Sequence, residues 1–528
     1  RLFTTNGMIF VGTSGTIALY SNTVWNMRGV NTNPGNQVSG TSNRFLVADG
    51  AIVTNTFGVG NTLVVNGNYC TLEVVNGGKV YWQNGGVLFG QGATRNNRIL
   101  IGGSGAPAYM QSLGVFQIPQ NGGTIANYGV IVSNGVWDAG PVYLGRSVST
   151  GNYIHVFAAG VVNFNGQGLF INDTGAGISN YLSVAGGLVT NVSQISVNSN
   201  NSMSVDGGTI AAGANGTLLT GAGNAYVGAG GATIDTVAFT TTIAMGLNED
   251  PLSTGGGLIK RGSGTLTLFA VNTYSGDTTI SEGTLTLVAP GSIGNSPLIS
   301  VAAGATFNAG SGFALDVGQT LAGEGTVVSD VEIDGAVSPG IAGIGTLTAS
   351  NSVTWNAGVA WPYDLGAASA SDRLSINGDF TMGAGAEGEF EFDLQGVGVA
   401  GVYTLVTWTA STTFDDGSEF SAINVPGGLT PSFTVNANEL LLTLSGDGGG
   451  FSAGSTNTSI ALVSGQVTFG FNIASGALYH VQASTNLLSL IDNGFTNITG
   501  PLTNPGTATL VYTNTSSDPT RMFRINSP

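Results

Sequence analysis

Two short runs of alternating acidic residues are the positions in this sequence where side chains could gather to do chemistry. The carboxylates occupy every second position, at Asp330, Glu332 and Asp334 in one run and at Glu389, Glu391 and Asp393 in the other. Apolar residues fill the positions between them, so a strand would place each set on one face, away from the core. Calcium favours oxygen ligands gathered in space. We therefore interpret both runs as solvated outer strand faces, with calcium binding as the alternative and no other cofactor expected.

Residues for acid–base or nucleophilic catalysis do not come together in this sequence. The two histidines, His155 and His480, are far apart, and neither has a carboxylate or serine companion close by in its strand-like pattern. A catalytic triad needs such a companion, and a glycosidase needs two convergent carboxylates. We predict no catalytic residues and no enzyme, and a carbohydrate-active enzyme remains the alternative.

Residues 383–388 match the Gly-x-Gly-x-x-Gly pattern of nucleotide-binding loops. That pattern carries information only where it follows a strand and opens a helix. Here it joins two strand patterns, so we predict a hairpin turn and no nucleotide site.

Several side chains with special chemistry are predicted to be buried. The single cysteine, Cys70, alternates with Leu72 and Val74, which is typical of a small apolar residue facing a core. Tryptophans could stack on glycans, but the six here show no fixed spacing and are predicted to pack in the core. They are Trp25, Trp82, Trp137, Trp355, Trp361 and Trp408.

The composition favours an all-β protein. Glycine accounts for 86 of the 528 residues, and only 8% of the residues are charged, against about 25% in an average soluble domain. Long amphipathic helices, whose outer faces need charged residues, are therefore not expected. The net charge of −17 argues against a nucleic-acid partner, and no apolar stretch is long enough to predict a membrane span.

The first half of the chain repeats a short theme, in which alternating apolar residues precede a glycine turn and a second strand. Residues 182–189 and 203–210 are the clearest copies, offset by 203 − 182 = 21 residues, and others begin at Phe45, Leu72 and Ile154. Glycine permits the positive φ of a tight turn. A unit of this length buries its apolar face only by stacking on its neighbours. We therefore predict an all-β solenoid, a parallel β-helix.

The most specific motif runs from Gly257 to Leu287. Two Thr-Leu-Thr-Leu strands, each preceded by glycine, flank the segment Asn-Thr-Tyr-Ser-Gly at residues 272–276. The motif resembles the autotransporter-associated β-strand repeat, also called the passenger-associated transport repeat. The resemblance implies coils of a right-handed parallel β-helix in a secreted passenger protein. Residues 338–348, 371–378 and 401–406 resemble the segments that follow such repeats, which implies later coils and a C-terminal cap.

The residues after Leu444 are predicted to form a separate unit. Residues 446–450 have the composition of a flexible glycine-rich linker. Residues 451–528 resemble the C-terminal module of secreted proteins from the Verrucomicrobia and Planctomycetes, which implies a small antiparallel β-sandwich. This block is too short for the membrane barrel that ends a complete autotransporter. The resemblance thus supports the fold and the exterior location and leaves the export route open.

The predicted organisation has N-terminal β-helix coils at 1–250, coils with the transport repeat at 251–350, and terminal coils with a cap at 351–445. The linker and the β-sandwich follow. The chain begins at Arg1 and not at Met, so we expect a processed mature chain that is extracellular or at the cell surface.

The predicted function is that of a structural subunit of an extracellular fibre or surface layer. Copies of the chain would join head to tail through strand edges or through the C-terminal module, because unpaired strand edges are templates for further pairing. The alternative is a monomeric surface adhesin that binds glycans or host proteins along the rod.

Overall fold

Short strands joined by tight turns make up the chain, with no helix among the described residues. The computed structural model describes residues 2–446 apart from 5–8, 28–35, 56–62, 83–86, 90, 93, 119–120, 123–126, 147, 174–176, 342 and 368. Beyond residue 446 it describes the backbone of a set of strands, whose bounds are given below. The chain winds as a solenoid in which each of the first ten circuits contributes one strand to each of three parallel sheets.

Sheet A contains fifteen strands, each paired in parallel with the strand one circuit away. Its strands are Leu2–Thr4, Val24–Met27, Ile52–Asn55, Lys79–Trp82, Ala108–Ser112, Gly135–Ala139, Gly160–Asn163, Leu188–Val192, Gly208–Ala212, Ala232–Asp235, Leu258–Arg261, Thr278–Ile280, Leu298–Val301, Thr320–Gly323 and Ala336–Pro339.

Sheet B is the longest ladder, and each of its last two strands pairs antiparallel with the strand before it in the sheet. Its strands are Ile9–Thr13, Asn36–Thr41, Leu63–Asn68, Val87–Phe89, Phe116–Ile118, Val142–Leu144, Gly168–Ile171, Gln194–Val197, Gly216–Thr220, Thr240–Ile243, Thr265–Leu268, Thr284–Leu287, Thr306–Asn308, Thr326–Val328, Thr346–Ala349, Arg373–Ile376, Gly401–Trp408, Glu439–Ser445 and Thr430–Val435.

Sheet C forms the third side of the first ten circuits. Its strands are Thr16–Leu19, Arg44–Val47, Thr71–Val75, Arg98–Gly102, Gly129–Ser133, Tyr153–Phe157, Tyr181–Ala185, Ser202–Asp206, Asn224–Val227 and Leu247–Glu249. A minor pair, Gln91–Gly92 with Asn121–Gly122, lies outside the three sheets.

Two shorter parallel sheets complete the later circuits. Sheet D takes the third place in the circuit and contains Phe313–Leu315, Val331–Ile333, Val353–Trp355 and Phe380–Met382. Sheet E takes the place of sheet A in the last circuits and contains Trp361–Leu365, Phe390–Gly396 and Phe420–Ile423.

The structure confirms the predicted solenoid and its 21-residue offset. Leu182 pairs directly with Met203 in sheet C, and both side chains are buried. Alternation in each strand sends one set of side chains into the interior, where successive coils stack. The transport-repeat segment forms two circuits of sheets A and B, in the strands from Leu258–Arg261 to Thr284–Leu287.

Paired glycines at the corner between sheets C and A have two separate roles. Gly186 and Gly207 adopt positive φ angles of 73° and 69°, which other L-residues rarely adopt. The second glycine of each pair lies against the previous coil: a Cβ at Gly208 would lie 2.6 Å from the carbonyl oxygen of Val184. The corner therefore needs one glycine for its turn and the next for close packing of the coils.

Buried asparagines form a ladder at the corner just before sheet C. The Oδ1 of Asn152 accepts the backbone N–H of Tyr128, the Oδ1 of Asn180 accepts that of Asn152, and the Oδ1 of Asn201 accepts that of Asn180. These bonds satisfy buried backbone donors that the turn leaves unpaired. The ladder consists of Asn43, Asn97, Asn152, Asn180 and Asn201.

The interior near the C-terminal end of the solenoid is filled by aromatic rings. Trp355 and Trp361 stack with centroids 3.7 Å apart, and Phe392 meets both rings edge-on. The cluster consists of Trp355, Trp361, Tyr363, Phe380, Phe390, Phe392, Trp408, Phe414 and Phe420. All six tryptophans of the chain are buried, which confirms their prediction as core residues. Cys70 is likewise fully buried, as predicted.

The last coil is closed by antiparallel strands. Glu439–Ser445 pairs antiparallel with Gly401–Trp408, and Thr430–Val435 pairs antiparallel with Glu439–Ser445. The parallel ladder of sheet B is therefore followed by one strand of the opposite direction, and the outermost strand, Thr430–Val435, carries Pro431, which lacks a backbone N–H.

One predicted turn was wrong. Residues 383–388 do not close a hairpin, because the strands on either side, Phe380–Met382 and Phe390–Gly396, belong to different parallel sheets. The segment is a corner of the solenoid. Its glycines serve the same purpose as those of the earlier corners, and Gly385 and Gly388 both have positive φ.

The C-terminal strands pair in antiparallel fashion. One group contains Asn457–Val463, Gln466–Ile473 and Ala508–Thr513. The other contains Leu478–Ser484, Thr496–Asn497, Leu502–Thr503 and Met522–Asn526. The sandwich predicted for 451–528 stays a prediction, and residues 447–450 of the predicted linker lie outside the described residues.

Candidate functional site

A row of aromatic side chains lies on the outer face of sheet C. The strand Tyr153–Phe157 directs Tyr153, His155 and Phe157 outward, because side chains alternate between the two faces of a strand. Tyr181, on the next strand, lies beside Tyr153 in the parallel register. Phe157 is 42% exposed and the other three are half-buried. These four side chains are called the aromatic row.

The rings of the aromatic row contact one another. Tyr153 and Tyr181 stack with centroids 5.7 Å apart and planes 21° apart. His155 stacks on Phe157 at 5.5 Å and meets Tyr181 edge-on at 5.3 Å. The Nε2 atom of His155 also lies 3.1 Å from the hydroxyl oxygen of Tyr181. Burial lowers the pKa of His155, so the imidazole is neutral at neutral pH and the row carries no charge.

Gly129 fixes the position of the Tyr153 ring. It lies opposite Tyr153 on the preceding strand of sheet C. A Cβ at Gly129 would lie 2.1 Å from the Cζ atom of Tyr153, so the ring occupies the space that any other residue would fill. The ring of Tyr153 therefore contacts the coils on both sides of its own, because it also stacks on Tyr181.

Next to the aromatic row, the surface opens into a groove of about 720 Å³. Its lining side chains carry hydroxyl, amide or apolar groups, and none of them is charged. The groove is called the tyrosine groove, and it is lined by Ile178, Ser179, Tyr181, Asn200, Asn201, Ser202, Asn224 and Tyr226.

The parallel register aligns the floor of the tyrosine groove. Tyr181 pairs with Ser202, and Ser202 pairs with Asn224, so the three residues form one column across three coils. Tyr226 follows two positions after Asn224 and faces outward like it, in the strand Asn224–Val227. Two tyrosine rings thus bound a strip of small hydroxyl and amide side chains.

The asparagine ladder holds this floor from the inside. The Oδ1 atom of Asn201 accepts both the backbone N–H and the Nδ2 amide of Asn180, each at 2.9 Å. Its Nδ2 atom donates to the carbonyl oxygens of Gly177 and Ser199. Asn201 is therefore used by the fold, whereas Asn200 and Asn224 are exposed at the groove.

The first acidic run lies on the outside of sheet D, as predicted. The Nδ2 atom of Asn356 donates to Glu332 at 3.0 Å and to Asp334 at 2.8 Å. Asp330 accepts the backbone N–H of Ser352 at 3.1 Å. The structure therefore brings Glu332 and Asp334 to one amide and directs Asp330 to a separate turn.

The second acidic run begins just before the strand Phe390–Gly396, continues along it and also faces outward. Glu389 accepts the backbone N–H of Ala386 at 2.8 Å, and Asp393 accepts the Nδ2 amide of Asn424 at 2.6 Å. Glu391 lines an open groove of about 480 Å³ together with Glu389. Glu389 and Glu391 thus share a groove, whereas Asp393 is paired with Asn424.

Within the described part of the chain, no three His, Cys, Asp or Glu side chains converge in a way that could hold a metal ion. All six predicted carboxylates belong to that part. The calcium alternative stays a prediction, because an ion also draws ligands together when it binds.

The residues of the aromatic row and the tyrosine groove were not predicted as a site. From the sequence, glycan stacking was considered only for the tryptophans. His155 was predicted to face solvent, and the structure confirms that position. The signal that could have found the site is a Tyr before each of two Ile-x-Val or Leu-x-Val patterns, at Tyr153 and Tyr181. Its value depends on the coil register, which only the fold supplies.

Among the described residues there is no helix with the length and apolarity that a membrane crossing requires. His480 belongs to the strand Leu478–Ser484, and its side chain lies outside the described residues.

Comparison with known proteins identifies one repeat in this chain. Residues 258–287 match the family model of the passenger-associated-transport-repeat. No curated protein matches the chain. One similar solved structure is the crystal structure of a hyper-glycosylated TibA fragment modified by TibC. It is 16% identical and covers 62% of this chain and 90% of that fragment, with a TM-score of 0.19, which is too low to carry an argument.

Proposed function

We propose that this chain is a secreted or cell-surface protein of the adhesin type, a solenoid that binds an extracellular partner through one side. The observation that carries the proposal is the set of uncharged side chains that form the aromatic row and line the tyrosine groove. The passenger-associated-transport-repeat at residues 258–287 supports the exterior location. The low content of charged residues fits a surface whose contacts are made by rings, hydroxyls and amides.

The solenoid gives this face a fixed shape. Each strand that carries the face, from Tyr153–Phe157 to Asn224–Val227, is hydrogen-bonded on both edges within sheet C. The rings therefore cannot move with a loop, and their positions are set before a partner arrives. A preorganised surface loses less conformational freedom on binding, which favours affinity.

Assembly into a head-to-tail fibre, the function predicted first from the sequence, has less support. Sheet B, the longest ladder, does not continue in parallel pairing beyond its last coil: Glu439–Ser445 pairs antiparallel with Gly401–Trp408, and the outer strand Thr430–Val435 carries Pro431, which lacks a backbone N–H. Fibre formation through the C-terminal strands stays a separate proposal. Negative-stain microscopy of the concentrated chain tests it: filaments would support it, and single rods would count against it.

An enzymatic role is not part of the proposal. The lining of the tyrosine groove contains no His, Cys, Lys, Asp or Glu side chain. That the chain is not an enzyme stays a prediction.

The test uses beads coated with the full chain, and beads coated with the double variant Tyr181→Ala and Tyr226→Ala, which lacks both tyrosine rings of the groove. Under flow, coated beads are expected to be retained on surfaces that carry cell-wall or matrix polysaccharides or matrix proteins. Surface proteolysis of intact producing cells should release the chain. The proposal is overturned if the chain is found only inside cells, or if coated and bare beads are retained equally on every surface.

A further inference from the structure

We propose, building on the adhesin function above, that the tyrosine groove binds a neutral, extended polysaccharide segment that spans Tyr181 and Tyr226. The inference rests on four features of the groove: the distance between the two tyrosines, the character of their rings, the chemistry of the side chains between them, and the absence of charge.

The first feature is the spacing of the two rings. Tyr181 and Asn224 occupy the same column two coils apart, and Tyr226 lies two residues farther along its strand. With about 4.8 Å between strands and about 3.3 Å per residue, the two Cα positions are separated by roughly 12 Å. Adjacent sugar units of a linear glycan are separated by less than half of this distance, so the two tyrosine rings can lie against the first and third units of a trisaccharide segment.

The second feature is the character of the rings as platforms. The face of an aromatic ring is electron-rich, and the C–H bonds on one face of a pyranose ring present weakly positive hydrogens. Tyr181 is held in position by its stack on Tyr153 and by its contact with Nε2 of His155. The sugar would therefore meet a ring whose orientation is already fixed.

The third feature is the strip of polar groups between the rings. Ser202 and Asn224 point outward in the middle of the groove, with Ser179 and Asn200 at its edge. Hydroxyl and amide groups both donate and accept hydrogen bonds. Sugar hydroxyls need both kinds of partner in close succession. A peptide that binds by adding a strand would need an unpaired strand edge, and every strand at the groove is paired on both edges.

The fourth feature is charge. The lining has no Lys, Arg, Asp or Glu, and burial keeps the neighbouring His155 neutral by lowering its pKa. The whole chain has a net charge of −17. An acidic polysaccharide would find no cation in the groove and would be repelled by the overall charge. The ligand class is therefore a neutral glycan.

The experiment measures binding of the full chain to a panel of neutral oligosaccharides and matched uronic-acid oligosaccharides by calorimetry. We expect binding of at least one neutral tetrasaccharide and none of its acidic counterpart. Tyr181→Ala and Tyr226→Ala should each weaken that binding tenfold or more. Tyr81→Ala is the control, because Tyr81 is a half-buried tyrosine whose ring contacts Tyr109 on sheet A, away from the groove.

Folding and ligand loss are separated by two further measurements. Circular dichroism melting of each variant reports whether the solenoid is intact, and Tyr226→Phe, which keeps the ring, should retain binding within about threefold. The glycan proposal is overturned if no neutral sugar binds, if acidic sugars bind better, or if binding survives loss of both rings. Bead retention on protein-coated surfaces in those cases would leave the adhesin function standing with another ligand, whereas loss of all retention would overturn both.

Discussion

Lys260 is one of two lysines in the chain, and its side chain lies inside the solenoid. The Nζ atom donates to the carbonyl oxygens of Arg261 at 2.9 Å, Gly262 at 2.7 Å and Glu282 at 2.9 Å. These bonds join neighbouring coils of the transport-repeat segment at a corner. Burial lowers the pKa of Lys260 to about 8, because the charged form loses its hydration.

Replacing Lys260→Met should destabilise the chain by about 1–2 kcal/mol at pH 7, because the carbonyl oxygen of Glu282 loses its donor. The pKa is lower in the folded chain than its usual 10.5, so the unfolded chain binds more protons between pH 8 and 10.5. Wild-type stability from this group therefore rises as pH increases through that window. Denaturation curves should show a larger difference in unfolding free energy between the wild type and Lys260→Met at pH 9.5 than at pH 7.

The exposed Lys79 in sheet A provides the matched control. Lys79→Met should leave stability nearly unchanged at both pH values. A gap for Lys260→Met that is absent, or that narrows at high pH, would contradict the assignment of a buried lysine.

Asp372 is a buried carboxylate that joins two segments near the end of sheet A. Its Oδ1 atom accepts the backbone N–H of Gly345, and its Oδ2 atom accepts that of Asp364, each at 2.8 Å. Burial is the largest influence and raises its pKa to about 6. Asp372 therefore joins two backbone segments by hydrogen bonds. This gives a structural role to a residue of the segment 371–378, which resembles those that follow transport repeats.

Asp372→Asn should cost about 1–3 kcal/mol, because an amide offers one acceptor oxygen where the carboxylate offers two. The pKa is higher in the folded chain than the usual 3.8, so the folded chain binds more protons between pH 4 and 6. Wild-type stability from this group falls as pH rises through that window. Melting curves should show a larger difference in melting temperature between the wild type and Asp372→Asn at pH 4.5 than at pH 7. The exposed Asp277→Asn should show neither effect.

The asparagine ladder is the element that fixes the corner before sheet C. Its regularity breaks where another residue type takes a ladder position. Cys70 occupies the position between Asn43 and Asn97, and the backbone N–H of Cys70 donates to the Oδ1 of Asn97. Tyr128 occupies the next position, so the buried Nδ2 of Asn97 has no partner. The ladder is complete at Asn152, Asn180 and Asn201, which is the part beneath the tyrosine groove.

Asn180→Ala should be among the most damaging single changes in this region, with a loss of about 2–4 kcal/mol. It would leave the backbone N–H of Asn152 without its acceptor, remove one of the two acceptors of the Asn152 Nδ2, and leave the carbonyl of Ser149 without its donor. Thermal melting measures the loss. Asn224→Ala, which removes an exposed asparagine one strand beyond the ladder, should change the melting temperature little. Equal effects of the two changes would contradict the role of the ladder.

At the scale of the whole molecule, the sparse charges decide how the chain meets its surroundings. Only two ion pairs occur among the described residues, Arg44 with Glu73 and Arg146 with Asp173. The solenoid is therefore held by apolar stacking and backbone ladders, which salt affects little. Its net charge of −17 acts at long range and keeps copies of the chain apart at low ionic strength.

Binding of a neutral oligosaccharide in the tyrosine groove should consequently be independent of salt. The dissociation constant should change less than about twofold between 50 and 500 mM NaCl, because no charged pair forms or breaks on binding. Calorimetric titration at both concentrations measures it. A steep decrease in affinity with salt would indicate an ionic contact and would count against a neutral ligand.

Local pattern was enough to predict the class of fold and the orientation of single side chains. The alternation of Leu182 and Val184 before a glycine pair, the burial of Trp137 and the outward direction of Glu332 all follow from period-two geometry. These properties depend on neighbours two or three residues away, so a short stretch of sequence is enough to predict them.

The tertiary structure decided which outward side chains become neighbours. Tyr153 pairs with Tyr181 after 28 residues, and Tyr181 pairs with Ser202 after 21, since the loops between strands differ in length from coil to coil. The solenoid corner at residues 383–388 likewise depends on which strands pair. Pairing is set by stacking of the whole core, so the sequence determined an all-β solenoid, and only the coil register placed a ring of Tyr181 and a ring of Tyr226 on either side of one groove.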